Sequence, residues 1–135
     1  MADLQCIVVT PEQTVRETAA DFVVVSLFDG EIGIGPGHTP LIGRLGYGEM
    51  RIRHGKEVER FYVEGGFVEV VDNVVSLLTQ RAIPADKIDE QAAQQQMEAA
   101  HKQAAHTPEL MAARQQAEAQ ARAQLRVARR ADGSE

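Results

Sequence analysis

Tryptophan is absent from this chain, and its 135 residues include only two tyrosines, four phenylalanines and one cysteine. With 14 basic against 20 acidic residues the net charge is −6. That balance and the few aromatics argue against nucleic acid, which needs a basic stripe and stacking platforms, and the charge sign is wrong for an anionic lipid surface. A lone Cys6 excludes an internal disulfide; set in an alternating apolar run, it reads as a small core hydrophobe. No apolar run approaches a membrane span, the longest stretch of large apolar residues being FVVV at 22–25. The opening MADL carries neither the basic nor the apolar region of a secretory signal, so a cytosolic location is expected.

Glycine and proline, in contrast, are concentrated. Residues 28–45, FDGEIGIGPGHTPLIGRL, hold five of the eleven glycines, two of the five prolines and one of the four histidines. Asp29-Gly30 reads as a tight turn, because glycine tolerates positive φ and aspartate bonds its own backbone. Residues 31–34 alternate polar or small with apolar and predict a short strand. Residues 35–40, GPGHTP, cannot be helix or central strand, since Pro36 and Pro40 lack an amide donor and push the preceding residue out of the α region. The expectation is a shaped loop between two strands, with Glu31 where it begins and His38 near its tip. Partner contacts concentrate on loops of this kind.

The chain has two halves of different period. Up to about residue 82, short β-prone runs are cut by turn residues: 4–9, 15–18, 21–27, 31–34, 41–45, 50–53, 58–64, 67–71 and 74–78. Turns are expected at 46–48, 54–56 and 72–73, and Gly65-Gly66 reads as a break after which one strand resumes. This spacing predicts an antiparallel sandwich or barrel. Beyond Pro84, alanine, glutamine, glutamate and arginine dominate. A helix is expected from Asp86, as N-cap, to about residue 105, with Asp89 in its first turn. A second is expected from Thr107, as N-cap with Pro108 at the first helical position, to about residue 130. Residues 131–135 should fray. The expected fold is an antiparallel β-sandwich of about ten short strands over 1–84, followed by an antiparallel two-helix hairpin over 85–135.

Alanine dominates the apolar stripes of both helices: Ile88, Ala93, Met97, Ala100 and Ala104 on the first, Leu110, Ala113, Ala117, Ala121, Leu125 and Ala128 on the second. Alanine favours helix locally but buries roughly 2 kcal/mol less per position than leucine. The helices should persist while their docking is reversible. Arg114, Glu118, Arg122, Arg126 and Arg130 recur at i+4 and line one face. That face is either a solvated surface steadied by Arg–Glu pairs or a positive surface seeking an acidic partner.

No catalytic constellation is visible. GxSxG is missing. The glycines of 33–37 lack a following Lys-Ser/Thr and lead to a strand, not a helix N-terminus, so they form no phosphate loop. His101 and His106 are five apart and off one face, which argues against a metal pair. His54 reads as a solvated turn residue, and Glu57, Glu59, Asp86 and Asp89 as exposed charges. His38 is left as a loop-bracing hydrogen bonder or a partner contact.

GEIGIGPGHTPLI, FYVEGGFVEVVDNVVSLLTQRAI, the KID opening the first helix and AQLRV in the second resemble the epsilon subunit of F-type ATP synthase, over about residues 4–130. The resemblance implies a non-catalytic, cofactor-free rotor subunit, peripheral at the cytoplasmic face of an energy-transducing membrane and not inserted in it. In the family, the segment corresponding to Glu31, Gly33, Pro36 and His38 lies against the polar loops of the membrane c-ring. Thr39, Leu41 and Ile42 are implied to face the gamma subunit. The hairpin folds against the sandwich in one state. In another it extends along gamma into the alpha–beta head, where Arg114, Arg122, Arg126, Arg129 and Arg130 are implied to approach an acidic segment of beta and block ATP hydrolysis. The alternative from a different class is a free-standing β-sandwich that binds a small molecule under a helical lid; it would stay separate from gamma and capture a metabolite.

Gly35 stands in the loop where many members of the family carry a larger side chain, and a second departure bears on nucleotide binding. Members that bind ATP at the hairpin carry Ile/Leu-Asp-x-x-Arg-Ala; here Ile88, Asp89 and Ala93 match, but Ala92 stands where the arginine belongs. Loss of the guanidinium removes charge-assisted bonds of about 1.5–3 kcal/mol each. The isolated chain is therefore expected to bind ATP weakly or not at all, and a calorimetric dissociation constant in the low micromolar range would overturn this.

Overall fold

A computed structural model of the chain describes residues 4–131. They fall into two compact units divided after Pro84. The first contains β1 (Leu4–Val9), β2 (Thr14–Ala20), β3 (Phe22–Leu27), β4 (Gly30–Ile34), β5 (Leu41–Arg44), β6 (Tyr47–His54), β7 (Glu57–Glu64), β8 (Phe67–Val71), β9 (Val74–Leu78) and β10 (Ala82–Pro84). The second contains a 3-10 turn at Ala85–Lys87, α1 (Glu90–Lys102) and α2 (Pro108–Ala131).

The strands form because their apolar residues recur every second position. Leu4, Cys6 and Val8 of β1 are buried, as are Val23 and Val25 of β3, Val68 and Val70 of β8, and Val75 and Leu77 of β9. Such an array leaves water on one face when a second sheet covers it. One sheet runs β2-β1-β9-β8-β5, the other β10-β7-β6-β3-β4. Ile34, Met50, Ile52, Phe61 and Val63 of the second complete the shared core. The ladders are antiparallel except β1 with β9, which pair parallel, so the sheets are not wholly antiparallel as expected.

The chain changes sheet at the β2–β3, β4–β5, β5–β6, β7–β8 and β9–β10 links. Two of these links lie side by side. Leu45 N–H donates to the Gly66 carbonyl at 2.8 Å, and Gly65 N–H to the Gly46 carbonyl at 3.1 Å. Gly65-Gly66 is thus a crossing from β7 in one sheet to β8 in the other, and no single strand resumes after it. Gly66 has φ +96°, and a methyl group on it would overlap the Leu78 carbonyl oxygen. Nor do residues 46–48 form a turn, because Tyr47 and Gly48 already belong to β6. The three-residue β10, paired with β7, gave no signal in the sequence.

A cross-sheet ion pair was also invisible there. Arg16 of β2 grips Glu59 of β7 through two nitrogens, at 2.8 and 2.9 Å, so Glu59, expected as an exposed charge, is also ion-paired. The Arg16 hydrogen bonds hold the Glu59 carboxyl below its ordinary range.

In the helical unit, Asp89 is the N-cap, its carboxylate accepting the Ala92 N–H at 3.0 Å. Asp86, expected in that role, lies in the 3-10 turn instead. Thr107 caps α2 as expected, accepting the Leu110 N–H at 3.2 Å. Because α1 ends at Lys102, Ala104 lies beyond it and is exposed, as is Ala113. Ala93, Ala100, Ala121, Leu125 and Ala128 are buried as the stripes predict, and Ala123 and Val127 are buried outside them. The Gln96 carboxamide joins the two helices, donating to the Ala117 carbonyl and the Gln120 side-chain oxygen, both at 3.1 Å. Residues 132–135, expected to fray, lie outside the described residues.

Two outcomes follow from the sandwich. Gly66→Ala should lower stability by about 3 kcal/mol or more, read from the urea midpoint, because both the positive φ and the carbonyl contact forbid a side chain. Glu59→Gln should destabilise by only about 0.5–1 kcal/mol at neutral pH, since both partners are over a third exposed. Glu59 has a lower pKa folded than unfolded, so its contribution is present above the ordinary carboxylate pKa. It is lost as pH falls through the depressed value. Chemical denaturation of both proteins between pH 7 and pH 3 should therefore converge at the acid end.

Candidate functional site

The loop between β4 and β5 is built around one tight turn. Pro36 occupies its second position, Gly37 its third with φ +78°, and the Gly35 carbonyl accepts the His38 N–H at 3.2 Å. This is a type II turn, which needs glycine at the third position. The His38 Nδ1–H donates to the Thr39 carbonyl at 2.8 Å; a carbonyl only accepts, so Nδ1 carries the proton. His38 braces the loop, and Pro36, Thr39 and Pro40 are exposed. A further hydrogen bond crosses from the loop to the β8–β9 turn, where Asn73 Oδ1 accepts the Gly37 N–H at 2.8 Å. The sequence marked Asn73 only as a turn residue, because a contact 36 positions away leaves no local signal.

Glu31 and Gly33 do not belong to this loop. They lie on β4, facing away from the core residues Ile32 and Ile34. A side chain at Gly33 would strike the Phe22 ring, with the nearest carbon 2.7 Å from the added Cβ, so Gly33 serves the packing of Phe22. Glu31 is held by Arg51 at 3.3 Å. Arg51 also bonds Glu49 at 2.8 Å, and Arg60 reaches the same Glu49 oxygen at 3.0 Å. Glu49 is only 5% exposed, and such a carboxylate is tolerable because two guanidinium groups compensate it. None of these partners was foreseen from the sequence.

On the outer face of the first sheet, Ile42 is 72% exposed, Phe67 57% and Leu78 56%. Arg44 pairs with Phe67 and Phe67 with Leu78 across β5, β8 and β9, so Phe67 and Leu78 stand side by side. A depression of about 370 Å³ lined by Thr10, Pro11, Phe67, Leu78 and Gln80 adjoins them. Leu41 turns the other way and packs against the core. Of the three positions implied to face gamma, only Thr39 and Ile42 are presented outward.

In the hairpin, the arginine face divides. Glu118 takes Arg114 at 2.9 Å and Arg122 at 3.9 Å, with His101 of α1 at 4.0 Å. Further along α2, Arg122, Arg126, Arg129 and Arg130 line a cavity of about 450 Å³ with Met97 of α1 and Leu125. Ile88 and Asp89 do not line it, and the Asp89 carboxylate is committed to its cap. Burial pushes the Cys6 thiol up to about 12, which leaves no thiolate for chemistry. Among the described residues, no three His, Cys, Asp or Glu side chains converge as metal ligands.

The family described as the beta-sandwich domain of the ATP synthase delta/epsilon chain matches residues 3–85. The ATP synthase epsilon chain of Rhodopirellula baltica is 44% identical over 126 residues, covering 93% of this chain and 98% of that one. This chain belongs to the ATP synthase epsilon-chain family. The epsilon chain of Rubrobacter xylanophilus is 36% identical over 106 residues, covering 78% of this chain and 73% of that one. The fold is shared with a chain in the Euglena gracilis mitochondrial ATP synthase OSCP/F1/c-ring assembly, with TM-score 0.73, 19% identity, and 99% and 82% of the two chains covered. It is shared also with a chain of the Tetrahymena thermophila mitochondrial ATP synthase central stalk and c-ring, with TM-score 0.74, 16% identity, and 93% and 96% covered. An epsilon chain is a subunit of a larger complex. Outward-facing apolar and charged surfaces of the kind found here suit such a role.

Proposed function

We propose that this chain is a non-catalytic subunit of the central stalk that couples the catalytic head of ATP synthase to the membrane ring and restrains ATP hydrolysis. The observation that carries the docking role is the apolar outer face of the first sheet. Ile42, Phe67 and Leu78 keep more than half their surface in water, and large apolar side chains left exposed on one face of a well-filled sandwich suit a protein interface. The gamma subunit is the occupant, with Thr39 and Ile42 at the edge of the contact. Glu31, Pro36 and His38 are assigned to the polar loops of the membrane ring, and Gly33 acts there indirectly by seating Phe22.

The restraining role belongs to the hairpin. Its alanine-lined helices bury little per position, and the Gln96 clamp and Glu118 cluster are polar contacts that water can replace. Once the hairpin extends, Arg122, Arg126 and Arg129 form the positive surface offered to an acidic segment of beta. Arg114, held on Glu118 at 2.9 Å where Arg122 is only at 3.9 Å, contributes less. The subunit acts at the cytoplasmic face of the membrane without entering it.

Two variants of the full complex test these roles separately. Ile42→Asp with Phe67→Asp should reduce co-purification with gamma at least about tenfold, because two carboxylates would have to be desolvated; undiminished co-purification would remove the docking surface. Deletion of residues 110–135 should speed ATP hydrolysis by the assembled head. An unchanged rate would sink the inhibitory role and leave the stalk role standing.

A further inference from the structure

We propose that Asn73 is the positioning residue of the Pro36-Gly37 turn, and that its side-chain hydrogen bond fuses the β4–β5 loop and the β8–β9 turn into one contact surface for the membrane ring. The proposal rests on the assignment of Pro36 and His38 to that ring.

The β8–β9 hairpin turns on two residues, Asp72 at φ 49° and Asn73 at φ 65°. Two consecutive left-handed residues make a type I′ turn, whose third position, here Asn73, is best served by glycine. Asparagine tolerates that backbone less well than glycine. What it adds is a carboxamide, and the carboxamide oxygen accepts the Gly37 N–H at 2.8 Å. In a β-turn the N–H of the third residue has no partner within the turn, so an outside acceptor satisfies it. Asn73 is itself fixed, because its carbonyl accepts the Gln5 N–H of β1 at 2.9 Å.

The loop has little else to hold it. Among the described residues, its internal hydrogen bonds are the His38 N–H to Gly35 and the His38 ring to Thr39. Both shape the turn without fixing where it points. The loop leaves β4 in one sheet and enters β5 in the other, so its direction depends on a tether to one of them. Asn73 supplies a tether to the first sheet. Asp72, exposed beside it, then adds a carboxylate to the surface that carries Pro36 and His38.

Asn73→Gly separates the pin from the turn. Glycine suits the type I′ position, so the urea midpoint of the full chain should hold or rise. The Gly37 amide should nonetheless exchange with deuterium about threefold to tenfold faster by NMR, the range for one exposed hydrogen bond. Proton-driven ATP synthesis by membranes carrying the variant complex should fall at least about twofold. Asn73→Asp, which keeps an acceptor oxygen, should restore both readouts. Unchanged exchange at Gly37 in Asn73→Gly would show that the pin does not hold the loop. Faster exchange with undiminished synthesis would show that the pin positions nothing of consequence. A Glu31→Gln, His38→Ala double variant checks the underlying assignment. If synthesis is undiminished there, the ring assignment fails and takes the proposal with it; if it falls there but not in Asn73→Gly, the pin alone is refuted.

Discussion

The sandwich depends on one constraint: every strand must bury one face against the other sheet, yet the chain passes repeatedly from sheet to sheet. A crossing strand cannot keep its ladder, so the backbone groups freed at each crossing need partners elsewhere. At 45–46 and 65–66 the two crossings satisfy each other, Leu45 with Gly66 and Gly65 with Gly46. They approach so closely to β9 that Gly66 has no room for a side chain. Glycine there is a packing requirement as much as a conformational one.

With the interior closed, the sandwich keeps its variety for the outside. One outer face presents Ile42, Phe67 and Leu78 to water. The other carries the Glu31–Arg51–Glu49–Arg60 chain of charges. The first suits a partner that removes water from apolar surface, and the second resists one unless its polar groups replace the internal bonds. Arg51 makes Glu31 a carboxylate already partly compensated. A basic group on a partner must therefore compete with Arg51 for it.

The hairpin follows a different logic. Its helices are stable locally, through alanine content, the Asp89 and Thr107 caps and i+4 pairing. Its interhelical contacts are small side chains joined by Gln96 and the ionic group around Glu118. Local structure in this unit thus rests on short-range contacts more than on large apolar side chains between its helices. Arg122, Arg126, Arg129 and Arg130 gather where α2 faces Met97.

The sequence by itself determined the strand periodicity, the change to helix beyond Pro84, the Thr107 cap, a shaped loop over 35–40 and the family. Each of these is written in neighbouring residues, through side-chain alternation, fixed proline φ or glycine freedom. Tertiary structure alone decided that Gly65-Gly66 changes sheets, that β1 and β9 run parallel, and that Leu41 faces inward while Ile42 faces out. It alone brought Arg16 to Glu59, Arg51 to Glu31 and Asn73 to Gly37. These contacts join positions between 20 and 43 residues apart. No local rule encodes them, because they arise only when a filled core fixes where distant turns and strand faces meet.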